Sequence, residues 1–239
     1  MIDFHAHILP NRDDGPQDVA VSRAMLRHSF CHGVDAVVST SHFYADEEYP
    51  EAFLRRRAQA YRTLGDAMLM SVDAYPKVIL GAEVLYFPGI SQADAVEDLL
   101  LGSSRTILVE PPMSHWTDTM LDDIALMGVN HNCLPVIAHV DRYMTMLRDE
   151  SLVDRVLSRG MQVQVNTAYF LNPQTRKKAI RHLREGKIHV IGTDCHNLDS
   201  RAPNLGDVRR LLRGTTAEAD FARLEYNAKR LLCRKGEAK

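Results

Sequence analysis

The sequence predicts an α/β protein whose parallel strands close into a barrel, related to the eight-stranded α/β barrel but with seven strands. Three observations predict it. Short runs rich in Val and Ile alternate with longer helical patterns along all 239 residues. The strands are continuous apolar runs, which is typical of parallel strands covered by helices. Seven such runs can be counted. The sequence contains no Gly-x-Gly-x-x-Gly motif, which is the turn expected in a dinucleotide-binding sheet. An open, doubly wound sheet remains the structural alternative.

The elements alternate in order along the chain. Strands are predicted at 2–5, 35–40, 77–83, 105–110, 135–139, 161–166 and 188–193. Helices are predicted at 17–32, 50–71, 118–130, 150–158 and 173–185, with 91–101 also helical and one or two helices within 204–232. Asp14-Gly-Pro is expected to open the first helix and Asn172-Pro173 a later one, and Gly33 and Gly186 are expected to end them. With no linker or repeat in view, residues 1–239 are predicted to form a single domain.

Composition excludes several classes of protein. A formal charge of −2 and a pI near 6.6 give no basic surface for nucleic acid. There is no apolar stretch long enough to span a membrane and no pattern of a secretory leader, so a cytoplasmic location without membrane insertion is expected. The four cysteines lie far apart and form no Cys-x-x-Cys pair, which argues against disulfides and a thiolate zinc site. Nothing in the composition sets the oligomeric state.

Ionisable side chains follow six of the predicted strands. In parallel α/β folds the carboxyl ends of the strands form one rim, where active sites are built. Asp14 can reach the same rim from the first loop. Side chains two apart on a strand share a face, so the pair in His-x-His can bind one ion. The residues collected at this rim are His5, His7, Asp14, His42, Glu83, Glu110, His139, Asp194 and His196.

This collection predicts a metal site. Carboxylates that converge without cations repel one another and raise one another's pKa, so the cluster needs positive charge. Nine candidate ligands exceed the needs of one ion, so two or three divalent ions are expected. Imidazole and carboxylate donors suit manganese, iron and zinc alike, so the ligand types do not identify the metal. Such clusters clamp the attacking and leaving oxygens of a displacement, which is hydrolytic chemistry.

Arginines near the rim favour a phosphate ester as the substrate. Arg142 follows His139 by three residues and is placed to bind an anion with two hydrogen bonds. A surface ion pair with Asp141 or Asp149 is its alternative role. Arg12 and Arg201 are weaker candidates of the same kind.

The order of motifs resembles the polymerase-and-histidinol-phosphatase (PHP) family. The motifs are His-x-His, Asp-Asp-Gly-Pro, Ser-Thr-Ser-His, Gly-Ala-Glu, Val-Glu, Val-Ile-Ala-His-Val-Asp-Arg-Tyr and Asp-x-His-Asn, and they span residues 1 to about 204. Within that family the sequence is most similar to the bacterial manganese-dependent protein-tyrosine phosphatases of capsule and exopolysaccharide operons. His-x-His alone is shared with amidohydrolases, whereas the combination is specific.

The resemblance implies a distorted seven-stranded barrel that holds three metal ions, with manganese as the expected metal. It implies that His5, His7, Glu83 and Asp194 hold one ion, that Glu83 bridges to a second held by Glu110 and His139, and that Asp14, His42 and His196 hold a third. Arg142 matches the phosphate-binding arginine. The implied substrate is phosphotyrosine on a partner tyrosine autokinase that controls polysaccharide polymerisation and export.

The expected mechanism is attack of a metal-bridging hydroxide on phosphorus, in line with the phenolate. Arg142 would neutralise charge on the phosphoryl oxygens. A phenol with a pKa of about 10 is a tolerable leaving group, so proton donation by His42 or His196 is expected to contribute little.

Other mechanisms and functions fit these residues less well. Cys195 and Arg201 satisfy the Cys-x5-Arg spacing of cysteine-dependent phosphatases, but the residues between them contain no glycine and include an acid. A PHP-family phosphoesterase acting on a small ester such as histidinol phosphate is the nearest alternative. An amidohydrolase would leave Asp14 and Arg142 unexplained, and a catalytically silent kinase partner would leave the ligand set unexplained.

Overall fold

The computed structural model describes residues 1–235, in which nine short strands alternate with nine α-helices. The strands are β1 (Ile2–Ala6), β2 (Ala36–Ser39), β3 (His42–Phe43), β4 (Lys77–Leu80), β5 (Glu83–Leu85), β6 (Thr106–Glu110), β7 (Leu134–Ile137), β8 (Gln162–Asn166) and β9 (Val190–Gly192). The helices are α1 (Val19–Cys31), α2 (Pro50–Leu69), α3 (Asp118–Asn130), α4 (Val140–Met146), α5 (Leu152–Leu157), α6 (Thr167–Leu171), α7 (Arg176–Arg184), α8 (Leu205–Leu212) and α9 (Glu218–Leu232). Short 3-10 helices cover Ile90–Gln92 and Asp94–Asp98.

Every strand pairing is parallel, and the sheet curls until its two ends meet. The hydrogen-bonded strands form two sections, one with the order β1-β2-β4 and the other with the order β3-β5-β6-β7-β8-β9. Ala6 at the end of β1 forms a parallel bridge with Cys195, just beyond β9. Across this junction the Asp194 N–H donates to the His5 carbonyl (2.8 Å) and the His7 N–H to the Cys195 carbonyl (2.9 Å). The predicted α/β fold with a curled parallel sheet is therefore confirmed.

The number of strand segments differs from the seven predicted. The predicted strand 77–83 is interrupted between β4 and β5, and the short β3 follows β2 after a similar break. The two interruptions lie side by side, because the Gly81 N–H donates to the Ser39 carbonyl and the Glu83 N–H to the Ser41 carbonyl. Close packing accompanies the break, since a Cβ on Gly81 would lie 2.5 Å from Leu101 Cδ2.

Two predicted helix starts were wrong by about one turn, and two short helices were not predicted. Helix α1 begins after Asp18, whose carboxylate accepts from the Ala20 N–H, and not at Asp14. Helix α7 follows Thr175 rather than Asn172-Pro173. The segment predicted at 204–232 divides into α8 and α9, and 91–101 is covered in part by the two 3-10 helices. Helices α4 and α6 directly follow β7 and β8, where only loops were expected.

Two apolar clusters stabilise the curled sheet. The larger lies between the sheet and the surrounding helices. The smaller contains Phe4, Val38, Leu108, Val136 and Val190, which come from β1, β2, β6, β7 and β9 and therefore pack within the curl. Ala228 and Leu231 of α9 join it, and the buried Thr106 hydroxyl donates to the Leu231 carbonyl (2.8 Å). Because Thr106 begins β6, α9 covers the amino ends of the strands. Within residues 1–235, none of the helices combines the length and apolar character needed to cross a membrane.

Candidate metal centre

The opposite end of the sheet carries the ionisable side chains. All nine predicted ligands lie there: His5 and Glu110 within strands, His42 and Glu83 at the starts of β3 and β5, and His7, His139, Asp194 and His196 just beyond strands, with Asp14 in the first loop. Eight of them are buried or half-buried, and Asp14 has a side chain that is 60% exposed. The structure brings all nine predicted residues into one cluster, which we call the ligand cluster.

Glu83 lies at the centre of the ligand cluster. Its Oε2 atom is 3.0 Å from His5 Nε2, 3.1 Å from His7 Nε2 and 3.2 Å from His42 Nδ1. Its Oε1 atom is 2.9 Å from His139 Nε2. One carboxylate thus faces four imidazoles, as a carboxylate that bridges two cations must.

Two further carboxylates flank this centre on different sides. Glu110 Oε1 lies 3.4 Å from His139 Nε2, and Glu110 Oε2 lies 3.8 Å from His42 Nδ1. Asp194 Oδ1 lies 3.7 Å from His5 Nε2 and 3.6 Å from His7 Nε2. The two carboxylates therefore extend the cluster beyond the reach of one ion.

Asp14 marks the solvent side of the cluster. Its Oδ1 atom is 3.0 Å from His196 Nε2 and 3.4 Å from His42 Nε2. The rings of His7 and His196 are 4.0 Å apart, which joins this side to the buried centre. His7, Asp14, His42 and His196 can each offer one ligand atom so that all four atoms lie within 4.8 Å of one another.

The electrostatics of the metal-free cluster show how strongly its charges interact. Burial raises the pKa of Glu83, but the nearby His5 charge and the close imidazoles of His139, His5 and His7 hold this pKa well below its usual value. Burial lowers the pKa of His139, but its hydrogen bonds to Glu110 and Glu83 raise it to about 9. The pKa of Asp14 falls to about 2, mainly through its hydrogen bond to His42. Burial lowers the pKa of His196 to about 4.

The donor atoms fit divalent cations. Glu83 Oε2, His42 Nδ1 and His196 Nε2 are buried, and within the described part of the chain their close neighbours at 3.0–3.2 Å are not aligned to form hydrogen bonds with them. A buried polar atom without a partner is unfavourable by about 1–3 kcal/mol. The atoms of His5, His7 and Glu83 can converge within 4.8 Å, as can those of His42, Glu83 and Glu110. Cations at these points would satisfy the unpartnered atoms, and nitrogen and oxygen donors suit manganese, iron and zinc.

Residues outside the predicted set orient the ligands. Asp13 Oδ2 lies 3.0 Å from His7 Nδ1 and also accepts from the His42 N–H at 3.2 Å. Gln164 Oε1 lies 3.3 Å from His5 Nδ1, and the Asn166 side chain donates to Asp194 Oδ2 at 2.9 Å. These three residues were missed by sequence reasoning. For Gln164 and Asn166, the available signal was the polar residues at alternate positions of β8 (Gln-Val-Gln-Val-Asn), because alternate side chains of a strand share a face.

Buried Asp3 was missed as well. Its carboxylate accepts from the Thr193 N–H (2.9 Å) and from the Thr193 hydroxyl (2.6 Å). These bonds join β1 to the residue that precedes Asp194, so they set where Asp194 leaves β9.

The predicted arginines divide into two groups. Arg142 pairs with Asp194 Oδ2, and Arg201 Nη2 lies 2.6 Å from Asp194 Oδ1, so both guanidinium groups border the ligand cluster. Arg12 instead packs over the Phe53 ring (4.4 Å) and pairs with Glu48. Arg142 thus makes an ion pair within the cluster rather than one with Asp141 or Asp149.

A cavity opens beside these two arginines. It has a volume of about 470 Å³, and Arg142, Asp194 and Arg201 form its border with the ligand cluster. The rest of its lining is mostly uncharged, with Thr145, Met146, Ala168, Tyr169, Asn172 and Ala202 among the contributors. Its shape and position suit an uncharged group attached to an anion that the arginines bind.

Cys195 is a packing residue. Its side chain is buried, and its backbone forms the bridge that joins the two ends of the curled sheet. Burial, followed by the charge of Asp3, raises the pKa of its thiol far above the usual range. A cysteine nucleophile needs the opposite shift and access to substrate, so the thiol mechanism is disfavoured.

The sequence matches a known protein family and named relatives over most of its length. The family model for capsular polysaccharide synthesis, CpsB/CapC, matches residues 1–233. The tyrosine-protein phosphatase CpsB of Streptococcus pneumoniae is 33% identical over 221 residues, covering 85% of this chain and 86% of the relative. The tyrosine-protein phosphatase YwqE of Bacillus subtilis (strain 168) is 28% identical over 211 residues, covering 84% of this chain and 79% of the relative.

Solved structures share the fold. One, described as belonging to the metal-dependent tyrosine phosphatases YwqE of Bacillus subtilis and CpsB of Streptococcus pneumoniae, superposes with a TM-score of 0.82 at 24% identity, covering 100% of this chain and 97% of the other. A phosphotriesterase of Mycobacterium tuberculosis gives a TM-score of 0.59 at 13% identity, covering 99% and 95%. Together with the match of the family model over residues 1–233, this shows that the chain belongs to the CpsB/CapC family of capsular polysaccharide synthesis.

Proposed function

We propose that this chain is a metal-dependent tyrosine-protein phosphatase, a phosphoric monoester hydrolase that does not use a cysteine nucleophile. The observation that carries the proposal is the ligand cluster with two arginines on its border and, beside them, a cavity whose remaining lining is mostly uncharged. The CpsB and YwqE relatives carry the name of this activity. A phosphate ester of a phenol fits all three features at once, since it joins an anion to an uncharged ring.

Each proposed cation has its own set of ligands. His5, His7, Glu83 and Asp194 would hold the first; Glu83, Glu110 and His139 the second; and Asp14, His42 and His196 the third. The central position of Glu83 supports its bridging role. His7 and His42 each lie near two of these sets.

Manganese is the cation we propose, with iron and zinc as alternatives. When bound, divalent cations lower the pKa of water and offset the charge of a phosphate group. The donor set of imidazoles and carboxylates supports a metal of this kind, and it contains no thiolate.

Two arginines would bind and orient the phosphoryl group. A guanidinium group donates two parallel hydrogen bonds to phosphoryl oxygens and stabilises the charge that develops on them. Arg142 and Arg201 have side chains that are 36% and 37% exposed, so a ligand can reach them at the cavity. Substrate binding would exchange part of their contact with Asp194 for contact with phosphate. The ring and the peptide backbone of phosphotyrosine would then occupy the cavity.

His42 and His196 are the proposed proton donors to the leaving phenolate. Both lie next to the exposed Asp14, on the solvent side of the cluster. A phenol with a pKa of about 10 leaves readily, so this contribution is expected to be small.

The partner and the architecture complete the proposal. We infer that the substrate is a phosphotyrosine protein, a tyrosine autokinase of polysaccharide synthesis, acting with this enzyme in the cytoplasm. We also propose that residues 1–239 form one phosphatase domain. In that domain β2 with β3, and β4 with β5, each occupy one position of a distorted seven-stranded barrel. The hydrogen bonds that run side by side across both interruptions support this count.

Substrate choice tests the proposed function. Purified protein is assayed on a phosphotyrosine peptide, a phosphoserine peptide and histidinol phosphate, with and without added manganese. We expect manganese-dependent hydrolysis that is fastest on phosphotyrosine. Faster turnover of histidinol phosphate would instead identify a phosphoesterase for small metabolites.

A further inference from the structure

We propose that Gln164 and Asn166 of β8 are positioning residues that determine which nitrogen of His5 faces the cations and how Asp194 is oriented. This inference rests on the proposed metal centre. None of the nine predicted ligands comes from β8, although the strands on either side of it provide His139 and Asp194. What β8 contributes is a chain of hydrogen bonds behind the ligands.

The chain of hydrogen bonds is continuous and buried. Gln164 Oε1 accepts from the His139 N–H at 2.5 Å and lies 3.3 Å from His5 Nδ1. Gln164 Nε2 donates to Asn166 Oδ1 at 3.0 Å, and Asn166 Nδ2 donates to Asp194 Oδ2 at 2.9 Å. The Gln164 side chain is fully buried and that of Asn166 nearly so. Two amides thus join His5, His139 and Asp194.

One backbone group determines which atom donates and which accepts in each of these hydrogen bonds. A backbone N–H can only donate, so the Gln164 atom that faces the His139 N–H must be the amide oxygen. The same oxygen faces His5 Nδ1, which must therefore carry the ring proton. When a cation is bound, His5 Nε2 would then direct its lone pair toward the cation, between Glu83 and Asp194.

The other end of the amide chain fixes Asp194. Because the Gln164 oxygen already accepts two hydrogen bonds, the Gln164 NH2 group faces Asn166. The Asn166 atom that accepts from it must be the amide oxygen. Asn166 consequently presents its NH2 group to Asp194 Oδ2. Asp194 Oδ1, the oxygen nearer to His5 and His7, receives no hydrogen bond from the two amides; it accepts from Arg201 Nη2 at 2.6 Å and lies within 3.7 Å of both histidines, where a cation would bind. Removing outer partners of metal ligands typically weakens metal binding by about 10–100-fold.

The test compares the manganese affinity of four proteins, measured by paramagnetic resonance of free manganese(II). Gln164→Leu removes the acceptor, and Gln164→Glu keeps an oxygen toward His5 and the His139 N–H. Gln162→Leu is the matched control, since Gln162 lies two residues earlier on the same face of β8 and its side chain has no hydrogen bond among the described residues. Thermal unfolding of the metal-free proteins checks that each variant folds. Long-range proton–nitrogen spectra of the zinc-loaded protein show which nitrogen of His5 carries the proton.

We expect Gln164→Leu to bind manganese about 10–100-fold more weakly and Gln162→Leu to match the wild type. Gln164→Glu should bind more tightly than Gln164→Leu, because it keeps the acceptor that faces His5 and the His139 N–H, although it loses the NH2 group that faces Asn166. We expect the His5 proton on Nδ1. Wild-type affinity in Gln164→Leu, equal weakening in the Leu and Glu variants, or a proton on Nε2 would overturn the inference. If Gln164→Leu does not fold, the position of the His5 proton in the spectra decides. Wild-type protein that binds no manganese would instead contradict the proposed metal centre.

Discussion

His139 and Asp194 leave their strands with positive φ angles, 30° and 53°. For residues other than glycine this backbone conformation is unfavourable by about 1–3 kcal/mol and clusters at functional sites. Both side chains are buried in the ligand cluster, where His139 faces Glu83 and Asp194 faces the arginines. The strained turns direct these two side chains into the cluster instead of along the strand.

Replacing the buried thiol should leave catalysis nearly unchanged. Cys195→Ser is expected to retain activity within about threefold, because the thiol has no place in the proposed mechanism. A hydroxyl buried without a partner lowers stability by about 1–3 kcal/mol, so the assay is run well below the melting temperature. Loss of all activity in a folded variant would favour a thiol nucleophile instead.

Arg142→Met should separate substrate turnover from cation binding. We expect kcat/KM on a phosphotyrosine peptide to fall about 10²–10³-fold, as when a hydrogen-bond donor to developing charge is removed. Manganese affinity should change much less than kcat/KM, because Asp194 keeps its hydrogen bonds from Asn166 and Arg201 when Arg142 is removed. An unchanged kcat/KM would exclude Arg142 from phosphate binding.

The charge of His139 should make the stability of the metal-free protein depend on pH. Its pKa rises from the ordinary 6.5 to about 9 in the folded state, because hydrogen bonds to Glu110 and Glu83 outweigh the effect of burial. The protonated form therefore favours folding. Its contribution is fully present below pH 6.5 and is lost as the pH rises through about 9.

Urea unfolding of wild type and His139→Gln between pH 6 and pH 10 measures this contribution. The stability difference between the two metal-free proteins should be largest near pH 6 and shrink toward pH 10. A difference that is constant over this range would mean that His139 is neutral in the folded protein.

At the scale of secondary structure, the close approach of β9 to β1 brings Asp194 to the histidines. A Cβ on Gly192 would lie 2.4 Å from the Cβ of His5 and 2.8 Å from its backbone nitrogen. No side chain fits there without moving one of the strands. The glycine is therefore required by the packing of two strands that both carry ligands.

Gly192→Ala should consequently impair both stability and activity. We expect a loss of about 1–3 kcal/mol from overpacking and at least a tenfold loss of manganese affinity, measured by unfolding and by metal titration. Gly65→Ala is the control, because nothing lies within 4 Å of a Cβ built at Gly65 in α2. Wild-type manganese affinity in Gly192→Ala would show that the spacing of β9 from β1 does not matter to the site.

Some elements could be predicted from the sequence and others could not. The apolar strands and the ligands at their ends were predictable. Buried parallel strands appear in the sequence as continuous apolar runs, and here ionisable residues follow those runs. The breaks after β2 and β4 were not, since both depend on packing between neighbouring strands. Helix α4 is a single short segment in which Asp141 and Arg142 resemble loop residues. The roles of Gln164 and Asn166 depend on partners far away in sequence.

At the scale of the whole molecule, the two ends of the curled sheet differ in chemistry. The amino ends of the strands are covered by α9 through apolar contacts and the bond from Thr106 to Leu231. The carboxyl ends present the ligand cluster, whose members come from β1, β3, β5, β6, the loop that follows β1 and the turns after β7 and β9. Cations bound there would join segments distant in sequence, so they should stabilise the folded chain as well as catalyse hydrolysis.

The account as a whole depends on cations that make this cluster a phosphatase. The most direct test strips the protein of metal, verifies this by elemental analysis, and then measures bound manganese and phosphotyrosine hydrolysis together as manganese is added back. We predict no activity in the stripped protein and a rise in activity that follows the bound manganese up to two or three ions per chain. Full activity in protein shown to be free of metal would contradict the account.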